Sequence, residues 1–428
     1  MITQQTNERL TRVGPGTDAG ALLRMYWHPV AAIQELEEHP TKAIRLMGED
    51  LVLYRDLGGR YGLLERYCPH RRADLSYGFV EETGLRCNYH GWLFGGDGAC
   101  LAQPFEDVAN PKGRYRDKIR QRAYRVEAKA GMLWAYMGPE SAPLLPDWEP
   151  FGYSNGFAQI VFAQVPCNWL QCQENSIDPV HFEWMHANWK IRLEGQTGYS
   201  PTHTRLAFDE FDYGFIYRRI REDTDETDPL WTQGRVCLWP NAFFLGSHIE
   251  WRVPIDDENT LSVTWAFRRA PKEREPYAQN SVPYWYGPLK DESGQWITSH
   301  VMNQDFLAWV GQGRIADRTR ENLGLSDTGV VKFRNRLLTE MDAVAAGRDP
   351  KGLIRDPLKN KSVQLPMLNR ADLIEGFTLQ QLSADPTLKR IHTRYHLQYG
   401  QPESVRHAYE EAMGFALNTG GFVESVEA

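Results

Sequence analysis

Apolar positions come in short bursts over the first third of the chain. "IRLMGEDLVLYRDLGGRYGLLER" holds two apolar runs parted by Gly-Glu-Asp and a third after Gly58-Gly59, the punctuation of a β-meander. "FGGDGACLAQP" reads as a tight turn and "RVEAKAGMLWAYMG" as a closing hairpin, so residues 43–137 are expected to form a small all-β domain. Residues 1–42 ahead of it read as an N-terminal arm, loosely packed over 1–24. Residues 138–153, "GPESAPLLPDWEPFGY", are rich in proline and turn formers and read as a linker. Longer periods follow over 154–428. "RLAFDEFDYGFIYRRI", "RVCLWPNAFFLGSHIEWRVPI" and "TLSVTWAFRRA" predict long antiparallel strands. Residues 291–346 predict helix, with Ser326-Asp327 as a cap and Gly347 as the stop. The expected fold class is α+β: a small all-β domain, then a larger domain in which helices cover an antiparallel sheet.

Composition narrows the function. The chain has 428 residues, 42% apolar, enough for two or three domains. Fourteen Trp and nineteen Tyr suit apolar pockets as well as cores. The net charge of -8, without a long basic run, argues against nucleic acid. No apolar run reaches transmembrane length and the N-terminus has no signal-peptide core, so the expected location is the cytoplasm. Six cysteines, at 68, 87, 100, 167, 172 and 237, are too few for a disulfide scaffold in this length of chain.

Two of those cysteines stand in metal-ligand patterns. "CPH" at 68–70 and "CNYH" at 87–90 place Cys68, His70, Cys87 and His90 on two short loops. A structural zinc site accepts such a mixed set. A Rieske [2Fe-2S] cluster needs it, with two Cys on one iron and two His on the other. One Cys and one His per loop, Pro69 stiffening the first loop, and Gly91 with "WLF" following the second favour the cluster.

"CPHRRADLSYGFVEETGLRCNYHGWLFGGDG" resembles the Rieske domain of aromatic-ring-hydroxylating oxygenases, and the likeness runs on through most of the chain. The pattern is most similar to the phthalate dioxygenase and vanillate demethylase branch, in which a single subunit type forms the oxygenase.

"CQENSIDPVHFEWMH", 172–186, raises a second metal question. One reading is structural: Asp178 as helix N-cap, Pro179 as the first helical residue, and two histidines on a core helix. The other is a 2-His-1-carboxylate set for non-heme Fe(II). His181 and His186 lie about 140° apart on an ideal helix, so a kink or helix end must bring them together. The resemblance favours iron, because Asn175, Asp178, His181 and His186 match the family motif in order. It also implies that Asp178 is not an iron ligand. The matching aspartate bonds an iron-binding His, here His181, and a cluster-binding His of the neighbouring subunit, here His90. Asp178 and Asn175 are therefore expected to serve catalysis. The carboxylate ligand is expected at Asp305, which lies in an apolar-periodic helix as the family's ligand does; Asp317, Glu183 and Asp342 are the competitors.

The resemblance implies a terminal oxygenase component that hydroxylates or oxidatively dealkylates a small aromatic compound. Its cofactors would be the [2Fe-2S] cluster and mononuclear Fe(II), with O2 as co-substrate. "GGDGAC" lacks the strand and helix of a dinucleotide site, so electrons should come from a separate reductase with flavin and ferredoxin-type centres. Communication between neighbouring subunits implies a homo-oligomer, a trimer or stacked trimers. Trp184, Phe243, Leu245, His248 and Trp251 are pocket candidates, though each also reads as core. The arginines of "YRRI" (217–220) could meet a substrate carboxylate or line a solvated strand face. The competing function is a Rieske electron carrier fused to a non-catalytic binding domain; a zinc-stabilised binding protein is the other.

Overall fold

The computed structural model describes residues 2–368, 370–393 and 399–417. Three sheets organise them. The first has six antiparallel strands, in the order Trp27–Ala32, Met132–Tyr136, Ala123–Lys129, Tyr61–Glu65, Glu49–Arg55, Thr41–Leu46. The expected meander is its last part, with the break at Met47-Gly48, one residue earlier than the Gly-Glu-Asp reading. Both turn residues have positive φ, 46° and 79°, which matches a two-residue hairpin to strand twist. The closing hairpin, 123–136, turns the same way at Ala130-Gly131.

This sheet begins ahead of residue 43. Trp27–Ala32 is buried along its whole length and pairs with Met132–Tyr136. Nor is the segment before it loose. Leu10, Val13, Leu22 and Leu23 have no exposed surface, because two short helices, Gln4–Thr11 and Asp18–Arg24, turn their apolar faces into the core.

A second, four-stranded sheet runs Phe79–Glu81, Gly84–Arg86, Leu93–Phe94, Cys100–Ala102. Residues 138–153 contain one turn of 3-10 helix, Glu149–Gly152, and no strand. They are nonetheless anchored, with Leu145 and Trp148 buried.

The third sheet has eight strands: His203–Phe211, Gly214–Arg221, Arg235–Leu238, Ala242–Phe244, His248–Pro254, Thr260–Arg269, Gly156–Val165 and Tyr284–Tyr286. All pairs are antiparallel except the last, where Tyr284–Tyr286 runs parallel to its neighbour. The helices that matter for function are α1 (Trp169–Asn175), α2 (Val301–Gly311) and α3 (Thr328–Ala345). The helical stretch expected over 291–346 begins only at Val301 and is split, with turns and extended chain over 291–300 and 312–324. Alternation divides the third sheet into two faces. Trp251 points to the first sheet, meeting Trp134 edge-on at 5.1 Å. Glu250 and Arg252 point the other way, into a cavity.

Candidate metal centres and substrate cavity

The second Rieske loop joins two strands of the second sheet, and the first leads from the first-sheet strand Tyr61–Glu65 toward Phe79–Glu81 of the second. The amide of Cys68 donates to Ala73 O at 2.8 Å, and that of Arg72, at φ 60°, donates to Cys68 O at 2.9 Å. In the second loop Cys87 N donates to Trp92 O at 2.8 Å, and Gly91 N to Cys87 O at 3.0 Å. Gly91 has φ 75°, and a Cβ there would stand 2.9 Å from Pro104 Cγ, so the residue fits both its conformation and its crowding. Both thiols are buried, whereas His70 is exposed and His90 half-buried. The His70 ring stacks on Trp92 at 4.4 Å and meets His90 edge-on at 4.5 Å.

This donor set fits a cluster. Burial, with Cys87 beside it, pushes the Cys68 thiol up to about 12, so the thiolate needs a bound cation. One ion would draw its ligand atoms close together. Among the described residues, the His, Cys, Asp and Glu atoms that lie within 4.8 Å of one another in a group of three or more are those of His181, His186 and Asp305. Two buried thiols and two imidazoles on paired loops are the donor set of a [2Fe-2S] cluster, two Cys for one iron and two His for the other.

The second centre joins two helical segments. Beyond α1 the chain turns at Asp178, whose Oδ1 accepts from Val180 N at 2.8 Å as a helix-start carboxylate does. Phe182–Ala187 then forms a π-turn. Its i→i+5 bonding widens the helix, so residues five apart come into line. That resolves the 140° mismatch of His181 and His186. Their Nε2 atoms lie 3.8 and 3.4 Å from Asp305 Oδ1, with Asp305 on the facing helix α2.

Neighbours set the protonation of this group. Gln304 Nε2 donates to Thr298 O at 2.8 Å, leaving its Oε1 to accept from His186 Nδ1 at 2.8 Å. His186 therefore donates from Nδ1 and turns Nε2 toward Asp305; burial lowers this ring, but Asp305 and Gln304 outweigh it and raise the ring above its ordinary value. Burial lowers His181 to about 4, keeping that ring neutral, the form a metal binds. Asn175 Nδ2 donates to Asp305 Oδ1 at 3.2 Å. Asp178 Oδ2 is 3.8 Å from His181 Nδ1, outside hydrogen-bond range, and a third of its side chain is exposed. Burial raises its carboxyl to about 6.

The competing carboxylates are engaged elsewhere. Glu183 binds Arg219 and His203, both at 2.7 Å. Asp317 is exposed and accepts from its own turn at Thr319. Asp342 pairs with Arg9.

The three-ligand group opens on a cavity of about 570 Å³. Phe243, Leu245 and His248 line it; Trp184 and Trp251 do not. Trp184 lies on the outer side of the π-turn, stacked on Tyr199 at 5.2 Å and 59% exposed. Trp251 has the wrong strand parity, because neighbours along a strand face opposite ways. Arg219 of "YRRI" does face inward, but Glu183 neutralises it.

Sequence reasoning missed Gln304, Arg235, Glu250 and His300. Glu250 is buried between Arg252 and His248, the latter at 2.8 Å. Arg235 lies over the Phe182 ring at 4.1 Å, and its Nε and Nη1 are buried with no hydrogen-bond partner among the described residues. Strand parity could have flagged Arg235 and Glu250; nothing local marks Gln304 or His300 as cavity residues.

Two buried thiols with one exposed and one half-buried imidazole, and a separate group of two His and one Asp in a cavity, are the two halves of one architecture. The chain belongs to the Rieske non-heme iron aromatic-ring-hydroxylating oxygenases and is of their oxygenase (alpha) subunit type. Residues 26–112 match the Rieske [2Fe-2S] domain and residues 250–365 the LigXa C-terminal domain-like family. The chain is 58% identical over 426 residues, 99% of its length and 100% of the relative's, to the 5,5'-dehydrodivanillate O-demethylase oxygenase subunit of Sphingobium sp. (strain NBRC 103272 / SYK-6). It is 34% identical over 372 residues, covering 81% of this chain and 87% of the relative, to the phenoxybenzoate dioxygenase subunit alpha of Ectopseudomonas oleovorans. In fold it is similar to Pseudomonas putida CBB5 NdmA with caffeine, with a TM-score of 0.55 and 22% identity over 77% of this chain and 94% of that one. As in its family, the cofactors are a [2Fe-2S] cluster and mononuclear non-heme iron, with O2 as co-substrate and separate electron-transfer proteins as donors. No helix among the described residues is long and apolar enough to cross a membrane.

Proposed function

We propose that this oxygenase removes the methyl group from an aryl methyl ether of an aromatic acid of the 5,5'-dehydrodivanillate type. The observation that carries the reading is the group of His181, His186 and Asp305 opening on a roomy cavity whose wall also holds the Arg235 guanidinium, two of its nitrogens without a hydrogen-bond partner among the described residues. A two-ring aromatic acid needs such space and such a cation. An electron carrier needs neither.

His181, His186 and Asp305 would hold the iron as a facial set, leaving the opposite positions open. Cys68, His70, Cys87 and His90 would hold the cluster. When bound, the two centres supply oxygen activation and electrons; the chain supplies position and protons. Gln304 fixes the donor face of His186, and Asn175 holds the Asp305 oxygen in place. Arg235 orients the substrate by a carboxylate. The part-exposed Asp178 would hydrogen-bond the partner subunit's His90 and so join two active sites in a trimer or stacked trimers. The Rieske unit extends back to Trp27, residues 138–153 link it to the catalytic domain, and a cytoplasmic reductase with flavin and ferredoxin-type centres delivers the electrons.

The overall reaction balances as aryl methyl ether, O2, two electrons and two protons giving phenol, formaldehyde and water. The test is turnover of 5,5'-dehydrodivanillate with a class-matched reductase and NADH. One formaldehyde per O2 consumed is expected. Oxygen uptake that yields a cis-diol and no formaldehyde would replace demethylation by dihydroxylation.

A further inference from the structure

The cavity is long as well as roomy. Phe182 lies beside His186, ring centres 5.7 Å apart, and meets Phe243 at 5.9 Å. Phe243, Glu250 and Thr264 are partners in register across the sheet, so His181, His186 and Asp305 stand over the Thr264 row. Along the strand Thr260–Arg269, the residues Thr264, Ala266 and Arg268 face the cavity in turn, and the last lies about 13 Å from the first. A different stretch of chain closes that far end. Arg269 Nη1 donates to Leu373 O at 3.3 Å and to Ile374 O at 3.1 Å, and a Cβ at Gly246 would lie 3.7 Å from Met367 Sδ. Met367, Leu368, Leu373, Phe377 and Leu388 line the cavity there. Arg268, on the floor of this end, donates from Nη1 to Ser247 Oγ and Phe267 O, both at 2.8 Å. The far wall is thus apolar, whereas the near end holds the two histidines, Asp305, Glu250 and Arg235.

We infer that this apolar wall receives the second ring of a two-ring aromatic acid, and that Leu373 and Leu388 set the preference for two-ring over one-ring substrates. One ring with its substituents spans roughly half the length of the cavity floor at ordinary bond lengths. A single ring held at the metal-ligand group therefore leaves the far wall untouched. A second ring in line with it reaches the wall, and apolar surface of both is removed from water. Leu373 and Leu388 are half-buried, whereas Met367 and Phe377 are buried, so the two leucines can change without emptying the core. This inference rests on reading the cavity as the site of a two-ring aromatic acid.

The experiment measures equilibrium binding to the iron-loaded protein without reductase, so it needs no turnover. The ligands are vanillate and vanillate carrying a plain phenyl ring at the position that joins the two rings of 5,5'-dehydrodivanillate. They share one carboxylate and differ only in the second ring. Wild type should bind the two-ring ligand about tenfold more tightly. Leu373→Asp and Leu388→Asp each put a carboxylate where that ring would rest, and burying it there is costly. Both variants should lose the preference by weakening the two-ring ligand alone, with vanillate binding, iron content and Rieske absorbance kept. Equal binding of the two ligands by wild type overturns the proposal, as do variants that retain the preference or weaken both ligands alike. Loss of iron in both variants also overturns it, reducing the wall to a structural element. Binding as expected with no formaldehyde on turnover of 5,5'-dehydrodivanillate instead refutes the demethylation reading alone.

Discussion

Asp305 shows how one carboxylate comes to face two imidazoles. Four carboxylates compete for the role in sequence. Three are ruled out by what they touch: Glu183 by Arg219 and His203, Asp317 by its own turn, Asp342 by Arg9. Asp305 faces two imidazole nitrogens, and its Oδ1 is held by Asn175. We expect Asp305→Ala to abolish mononuclear iron while leaving Rieske absorbance intact. Asn175→Leu should weaken iron binding about tenfold, the usual effect of losing a residue that orients a ligand. Iron quantification beside the visible spectrum checks both, and full iron occupancy in Asp305→Ala would move the carboxylate ligand elsewhere.

The π-turn is the element on which the site depends. Glu183 is tied to the strand Gly214–Arg221 through Arg219, and His186 is tied to α2 through Gln304. These anchors hold the turn one residue wider than an α-helix. Deleting Trp184, which is exposed and outside the cavity, should let the turn relax to α geometry and swing His186 away from Asp305. Loss of mononuclear iron with an unchanged Rieske spectrum and a cooperative melt is the expected result. An iron-loaded deletion variant would mean that the widening is incidental. Sequence alone could show that an irregularity was needed, but not which kind, because the anchoring partners lie on distant strands and helices.

For the whole molecule, metal content is the first check. Three irons per chain are expected, two of them with acid-labile sulfide. Zinc, or two irons only, would contradict the architecture. Acid stability is the second. His28 lies where the first sheet meets the third, with no exposed surface. Its Nε2 donates to Leu23 O at 2.8 Å, and Asn241 donates to its Nδ1 at 3.4 Å. Burial lowers this ring from 6.5 to about 4. The unfolded chain therefore binds a proton that the folded chain refuses over that window. Stability is full above pH 6.5 and falls as pH drops toward 4, by ~3 kcal/mol at the low end. Melting temperatures recorded across this range should decline, and His28→Gln should flatten that part of the profile.

The sequence by itself determined what is covalently local. It held the Cys and His candidates of both centres at their spacings, the turn residues of the hairpins, and the α+β plan of a small β domain followed by a helix-covered sheet. Chain proximity and turn chemistry are enough for these. Only the tertiary structure decided which carboxylate meets the histidines and that the five-residue gap closes through a π-turn. It also placed Trp251 on the far face of its sheet, packed the helices Gln4–Thr11 and Asp18–Arg24 into the core, and put Arg235 and His300 in the cavity wall. The physical reason is that these outcomes depend on how segments more than a hundred residues apart bury their apolar faces. Packing sets which polar atoms meet across that distance, and local pattern carries no record of it.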